Sequence, residues 1–99
     1  MWEKNSMASQ KNRLQVWYSG RVQGVGFRYK VSNIAAGYDV CGYVENLDDG
    51  RVHLLAVGDE SQTRRFADEI AEVMADFIKS VDERADLTDA VYKGFRIKL

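Results

Sequence analysis

From Arg13 onward, apolar and polar positions alternate. Leu14, Val16 and Tyr18 are interleaved with Gln15, Trp17 and Ser19, the period of a strand with one buried face. A glycine-punctuated stretch follows, Gly20-Arg21-Val22-Gln23-Gly24-Val25-Gly26, and then the period lengthens. Phe27, Val31, Ile34 and Ala35 fall at helical spacing, and Gly37 is a natural stop for that helix. Residues 40–47 and 51–57 predict two short strands joined by Asp48-Asp49-Gly50, a hairpin signal because glycine readily takes positive φ. Val52, Leu54 and Ala56 share one face of the second of these strands. Asp59 is the expected N-cap of a second helix with Gln62 at its third position, and Phe66, Ile70, Val73 and Met74 form its apolar stripe. Thereafter 77–83 predicts a strand, 84–93 a loop and 95–98 a short final strand. Residues 1–12 are polar and aperiodic, which sets a disordered leader at 1–12 and the folded domain at 13–99; Met1 and Met7 are both candidate starts.

The order is βαββαβ with a short extra C-terminal strand. Two helical stripes are most simply buried on one face of an antiparallel sheet, which defines an α+β, ferredoxin-like α/β sandwich. Ninety-nine residues suit one such domain, and a chain of that size buries roughly two-thirds of its extended surface. Composition adds exclusions: 45% hydrophobic and 29% charged is ordinary for a soluble globular protein, and no apolar run reaches the ~18 residues of a membrane span. The first residues lack the apolar core of a secretory signal, and one cysteine allows no internal disulfide, so the cytoplasm is the expected compartment. A monomer is the default state. The net charge of -1 argues against a nucleic-acid partner, and any anionic ligand must be attracted by a local arrangement of groups.

Such an arrangement is available between the first strand and the first helix. Glycines let the loop curl so that successive N–H groups converge, and the helix N-terminus adds unpaired amides and partial positive charge. The spacing G-x3-G-x-G is neither the dinucleotide fingerprint nor the Walker A loop. Arg28 follows in the helix's first turn, where its fork is suited to two phosphate oxygens. A cation at that end of a helix opposes the dipole, which points to a bound anion. Asn46 ends the first hairpin strand, and its amide is a candidate for fixing a water.

The block Gly20-Arg21-Val22-Gln23-Gly24-Val25-Gly26-Phe27-Arg28, followed by Gly42-Tyr43-Val44-Glu45-Asn46-Leu47 and Asp49-Gly50-Arg51-Val52, resembles the signature of the acylphosphatase family. Looser similarity runs to the end of the chain. The resemblance implies the ferredoxin-like fold with an added short strand, and a metal-independent hydrolase of small acyl phosphates that needs no cofactor. It also implies a phosphate-binding loop at Gln23, Gly24, Val25, Gly26 and Phe27, with Arg28 gripping phosphate and Asn46 orienting the attacking water as the catalytic pair. One position departs from the family pattern: Glu45 stands where a basic residue is common. Strand alternation turns it away from Asn46's face.

The chemistry agrees with that reading. A carboxylate leaving group has a conjugate acid of pKa about 4–5 and needs no general acid. Other residues take structural readings. His53, the only histidine, is expected at the surface; Cys41 as a small packing residue; Asp48 and Asp49 as turn residues. Arg64, Arg65, Asp68, Glu69 and Glu72 form a mixed solvated helix face. The alternative function is a binding module of the same fold that keeps the phosphate cradle without turnover. An RNA-binding domain would need aromatic platforms on the central strands; Trp17 is one, but His53 and Leu55 occupy the next strand.

Overall fold

The computed structural model describes residues 10–99, so residues 1–9 of the expected leader lie outside the described residues. Seven elements follow: β1 (Lys11–Gly20), α1 (Phe27–Ala35), β2 (Cys41–Asn46), β3 (Val52–Gly58), α2 (Glu60–Val73), β4 (Ile78–Thr88) and β5 (Phe95–Lys98). β1 therefore begins two residues ahead of the visible alternation, with Lys11 and Asn12 paired to Thr88 and Leu87. The five strands form one sheet in the order β4-β1-β3-β2-β5. Its four longer strands pair antiparallel, and β5 adds parallel to β2.

Both helices lie on one face. Leu14, Val16 and Tyr18 of β1, Val44 of β2, and Val52, Leu54 and Ala56 of β3 are buried in a single core with Phe27 and Val31 of α1 and Phe66 and Ile70 of α2. Phe66, Ile70 and Met74 of the expected stripe are buried, but Val73 is 44% exposed, and Thr63 and Ala67 complete the buried face. The expected capping box at α2 does not form. The Asp59 carboxylate pairs with Lys11 at 3.6 Å, and Gln62 Oε1 accepts from the Asp39 amide at 2.8 Å. Among the described residues no helix is long and apolar enough to cross a membrane.

β4 corrects the sequence reading most. It continues to Thr88, five residues past the expected end at 83. Most of the strand is exposed, because it is an edge strand bonded only to β1, so no apolar alternation announces it. Ion pairs secure it instead: Arg13 with Asp86, and Arg64 of α2 with Glu83 at 2.9 Å.

The opposite face of the sheet is not a bare surface. β4 and β5 occupy opposite edges, so residues 89–94 must cross between them. Ala90, Val91 and Tyr92 border a cavity with Cys41 and Val57, and Tyr92 lies 6.5 Å from Tyr43. His53, expected at the surface, is only 7% exposed. Its ring stacks on Trp17 at 4.9 Å, with Nδ1 2.9 Å from Glu45 Oε2 and Nε2 2.8 Å from Gln15 Oε1. Alternation assigned its face correctly; burial came from neighbours that alternation does not report.

Candidate active site

The sequence Gly24-Val25-Gly26 turns the chain from β1 into α1. Gly24 and Gly26 both have left-handed φ, 78° and 79°, and an added Cβ at either would point into open space. The requirement is therefore conformational rather than steric, since L-residues avoid this region. Gly26 is the N-cap of α1, which has no side-chain cap and no acidic residue in its first turn. The first intrahelical bond from this end is Lys30 N–H to Gly26 O at 3.0 Å. The amides of Phe27, Arg28 and Tyr29 thus have no helical acceptor. With the helix dipole, they make a positive end to which no side chain among the described residues supplies a counter-charge.

Arg28 lies in this first turn, half-buried, and no carboxylate among the described residues pairs with it. Asn46 arrives from the sheet. At the end of β2 it faces the helix side, as Gly42 and Val44 do, opposite to Tyr43 and Glu45. Its Oδ1 is buried and has no hydrogen-bond partner among the described residues. A buried carbonyl oxygen without a donor is costly, and the buried Tyr18 hydroxyl likewise lacks a partner among the described residues.

One open cavity of about 320 Å³ collects these groups: Gly24, Gly26, Phe27, Arg28 and Asn46 all border it. Two residues expected in the loop do not. Val25 packs against the core, and the side chain of Gln23 turns toward the hairpin, where Nε2 donates to Leu47 O at 2.8 Å and Arg51 O at 3.0 Å. Arg51 O also accepts the Leu47 amide at 2.8 Å, so Gln23 fastens the loop to the turn immediately after Asn46. Val22, Tyr29, Ile97 and Leu99 form the remaining wall, which sequence reasoning missed. Ile97 was visible only as an apolar position in the last strand; its place here depends on the parallel pairing of β5 with β2.

Asp48 and Asp49 stay in the turn, as expected. Asp49 accepts from the Arg51 amide at 3.1 Å, and that bond, with the guanidinium beside it, holds the carboxyl below the usual carboxylate range. Glu45 points away from the cavity, toward His53 and, at 3.9 Å, Lys98. Cys41 is half-buried on the outer face. Among the described residues no group of three His, Cys, Asp or Glu side chains is placed to hold a metal ion.

Comparison with known proteins bears on the family and the fold. The family model described as acylphosphatase matches residues 14–97. A curated acylphosphatase of Thermotoga maritima is 40% identical over 85 residues, covering 86% of this chain and 94% of its own. The crystal structure of acylphosphatase from Bacillus subtilis superposes with a TM-score of 0.71 at 30% identity, covering 89% of this chain and 99% of that one. An acylphosphatase structure from Coxiella burnetii gives 0.77 at 26% identity, covering 92% and 96%. The chain belongs to the acylphosphatase family.

Proposed function

We propose that this protein hydrolyses the carboxyl–phosphate bond of small acyl phosphates, with the Gly24–Gly26 loop and Arg28 holding the phosphoryl group and Asn46 orienting water. The observation that carries the reading is the buried, unpartnered Oδ1 of Asn46 beside an uncapped helix end and an unpaired arginine in one cavity. Arg28 binds two phosphoryl oxygens through its fork, and the amides at the start of α1 take the third. Asn46 Oδ1 accepts a hydrogen bond from a water and directs the oxygen's lone pair at phosphorus, in line with the acyl oxygen. The new P–O bond forms to water as the P–O bond to the acyl oxygen breaks. A carboxylate leaves, and the proton lost by the water passes to solvent or to the phosphate released. Because the leaving carboxylate is already stable as an anion, no general acid is required. Charge on the transferring group grows toward the amides and the guanidinium, which are fixed before the reaction begins.

The test is phosphate release from benzoyl phosphate in EDTA by wild type, Arg28→Gln and Asn46→Ala. Loss of a positioned charge-assisted contact lowers kcat/KM by about 10²–10³. Arg28→Gln is expected to weaken phosphate binding and turnover together, while Asn46→Ala loses turnover and retains phosphate affinity. A folded wild type that binds phosphate without hydrolysis would favour the non-catalytic binding module over the enzyme.

A further inference from the structure

The outer face of the sheet carries a second cavity of about 310 Å³, close in size to the first, bordered by Tyr43, Tyr92, Lys93, Arg96 and Lys98. Strand alternation makes it. Arg96 and Lys98 leave β5 on the outer side, level with Tyr43 and Glu45 of β2, while Ile97 between them borders the catalytic cavity. The Gly42 amide donates to Gly94 O at 3.0 Å, which holds the crossing segment against β2 and sets Lys93 at the rim. Three cations thus converge in a chain whose net charge is -1. Glu45 approaches Lys98 at 3.9 Å, but among the described residues no carboxylate pairs with Lys93 or Arg96. By contrast, Arg13 of β1 is matched with Asp86, and Arg64 of α2 with Glu83. Like charges around a small recess repel one another, and a bound anion relieves that repulsion.

The aromatic side chains narrow the ligand. Tyr43 and Tyr92 stand 6.5 Å apart at 58°, and Lys98 Nζ lies 4.7 Å above the Tyr43 ring. Burial, followed by the nearby Glu45 and Tyr92, pushes the Tyr43 phenol up, so at neutral pH it is a hydrogen-bond donor. The volume is at the small end of ligand pockets, room for a ring and a phosphate but not for a polymer.

We infer that this outer cavity binds a small aryl or nucleoside phosphate, with the phosphate on Lys93 and Arg96 and the ring against Tyr92 and Tyr43. The site is separate from Arg28 and stands whether or not the catalytic reading holds. Its test is titration of adenosine 5′-monophosphate into ¹⁵N-labelled protein, with inorganic phosphate and adenosine as separate arms. Amides of residues 92–98 are expected to shift in both wild type and Arg28→Gln, with each half-ligand binding more weakly than the whole. The double variant Lys93→Gln/Arg96→Gln should weaken binding about tenfold or more while hydrolysing benzoyl phosphate like wild type. The inference is overturned if shifts appear only around residues 24–28 and 46 and vanish in Arg28→Gln. It is equally overturned if the double variant binds as wild type does, or if wild type binds more weakly than roughly 10 mM.

Discussion

Replacing Gln23 by alanine tests whether the Gly24–Gly26 loop, proposed to bind phosphate, and Asn46, proposed to orient water, act as one rigid body. Gln23 Nε2 makes two hydrogen bonds, to Leu47 O at 2.8 Å and Arg51 O at 3.0 Å, and these tie the loop to the turn directly after Asn46. A net hydrogen bond contributes about 0.5–1.5 kcal/mol, so two give about 1–3 kcal/mol. The side chain is only partly buried, and water can replace the lost donor at the carbonyls, which places the expectation near 1–2 kcal/mol. For a domain of this size each kcal/mol corresponds to about 4–8 °C in Tm. The kinetic effect should exceed the thermal one. A 1 Å misplacement of reacting groups costs about 10²-fold in rate, and Gln23→Ala frees the Gly24–Gly26 amides to move relative to Asn46. Urea unfolding should show a lower midpoint at unchanged m, and benzoyl phosphate hydrolysis a fall in kcat larger than the rise in KM. A variant with lowered stability but wild-type kcat would refute the reasoning, because the bridge would then hold the fold without positioning the site.

Other perturbations probe neighbouring features. Gly26→Ala meets no steric obstacle, so its cost is that of a left-handed alanine, about 1–2 kcal/mol; phosphate affinity measured by calorimetry should fall as the chain rotates the α1 amides away. Glu45→Arg puts a cation against His53 and Lys98 and removes the His53 partner, with an expected loss of about 1–3 kcal/mol in urea unfolding. Phosphate affinity at the Arg28 cavity, read from the amide shifts of residues 24–28, should stay within about twofold of wild type, since the side chain leaves on the far side of the sheet. Glu83 and Asp86 are held below their ordinary carboxylate values, chiefly by hydrogen bonds from Arg64 and Arg13. A lowered folded-state value contributes stability above the ordinary range and loses it as pH falls through the folded value. The stability difference between wild type and Glu83→Gln should therefore be present at neutral pH and vanish in acid, as followed by urea midpoints across pH.

What the sequence disclosed followed from where each signal resides. The helical stripe of Phe27, Val31 and Ala35 and the strand alternation of Val52, Leu54 and Ala56 are local periods, and both faces appear as expected. The loop was legible because two glycines must adopt left-handed φ next to a helix start, a constraint carried by residue type alone. Asn46 shares the cavity with Arg28 because residue parity in β2 decides its face. The failures are non-local. Residues 84–88 form a strand because β1 supplies hydrogen bonds, not because their own pattern demands it. His53 is buried by Trp17, Gln15 and Glu45 from two other strands. Asp59 and Gln62 had the right spacing for a capping box, but Lys11 and the Asp39 amide, distant in sequence, took both side chains. Ile97 became a cavity wall only once β5 lay beside β2.

The pairing of Lys11 with Thr88 closes residues 11–88 into one loop, and β1 at the interior of the sheet depends on β4 for one of its two neighbours. Contacts of such separation are entropically late, because the loop must close before any hydrogen bond rewards it. A nascent chain that has only β1, α1 and the β2–β3 hairpin already contains the loop glycines, Arg28 and Asn46, yet lacks the Ile97 wall and the strand that flanks β1. The site is therefore encoded early and completed last, and folding of this small domain is governed by topology more than by its well-patterned helices.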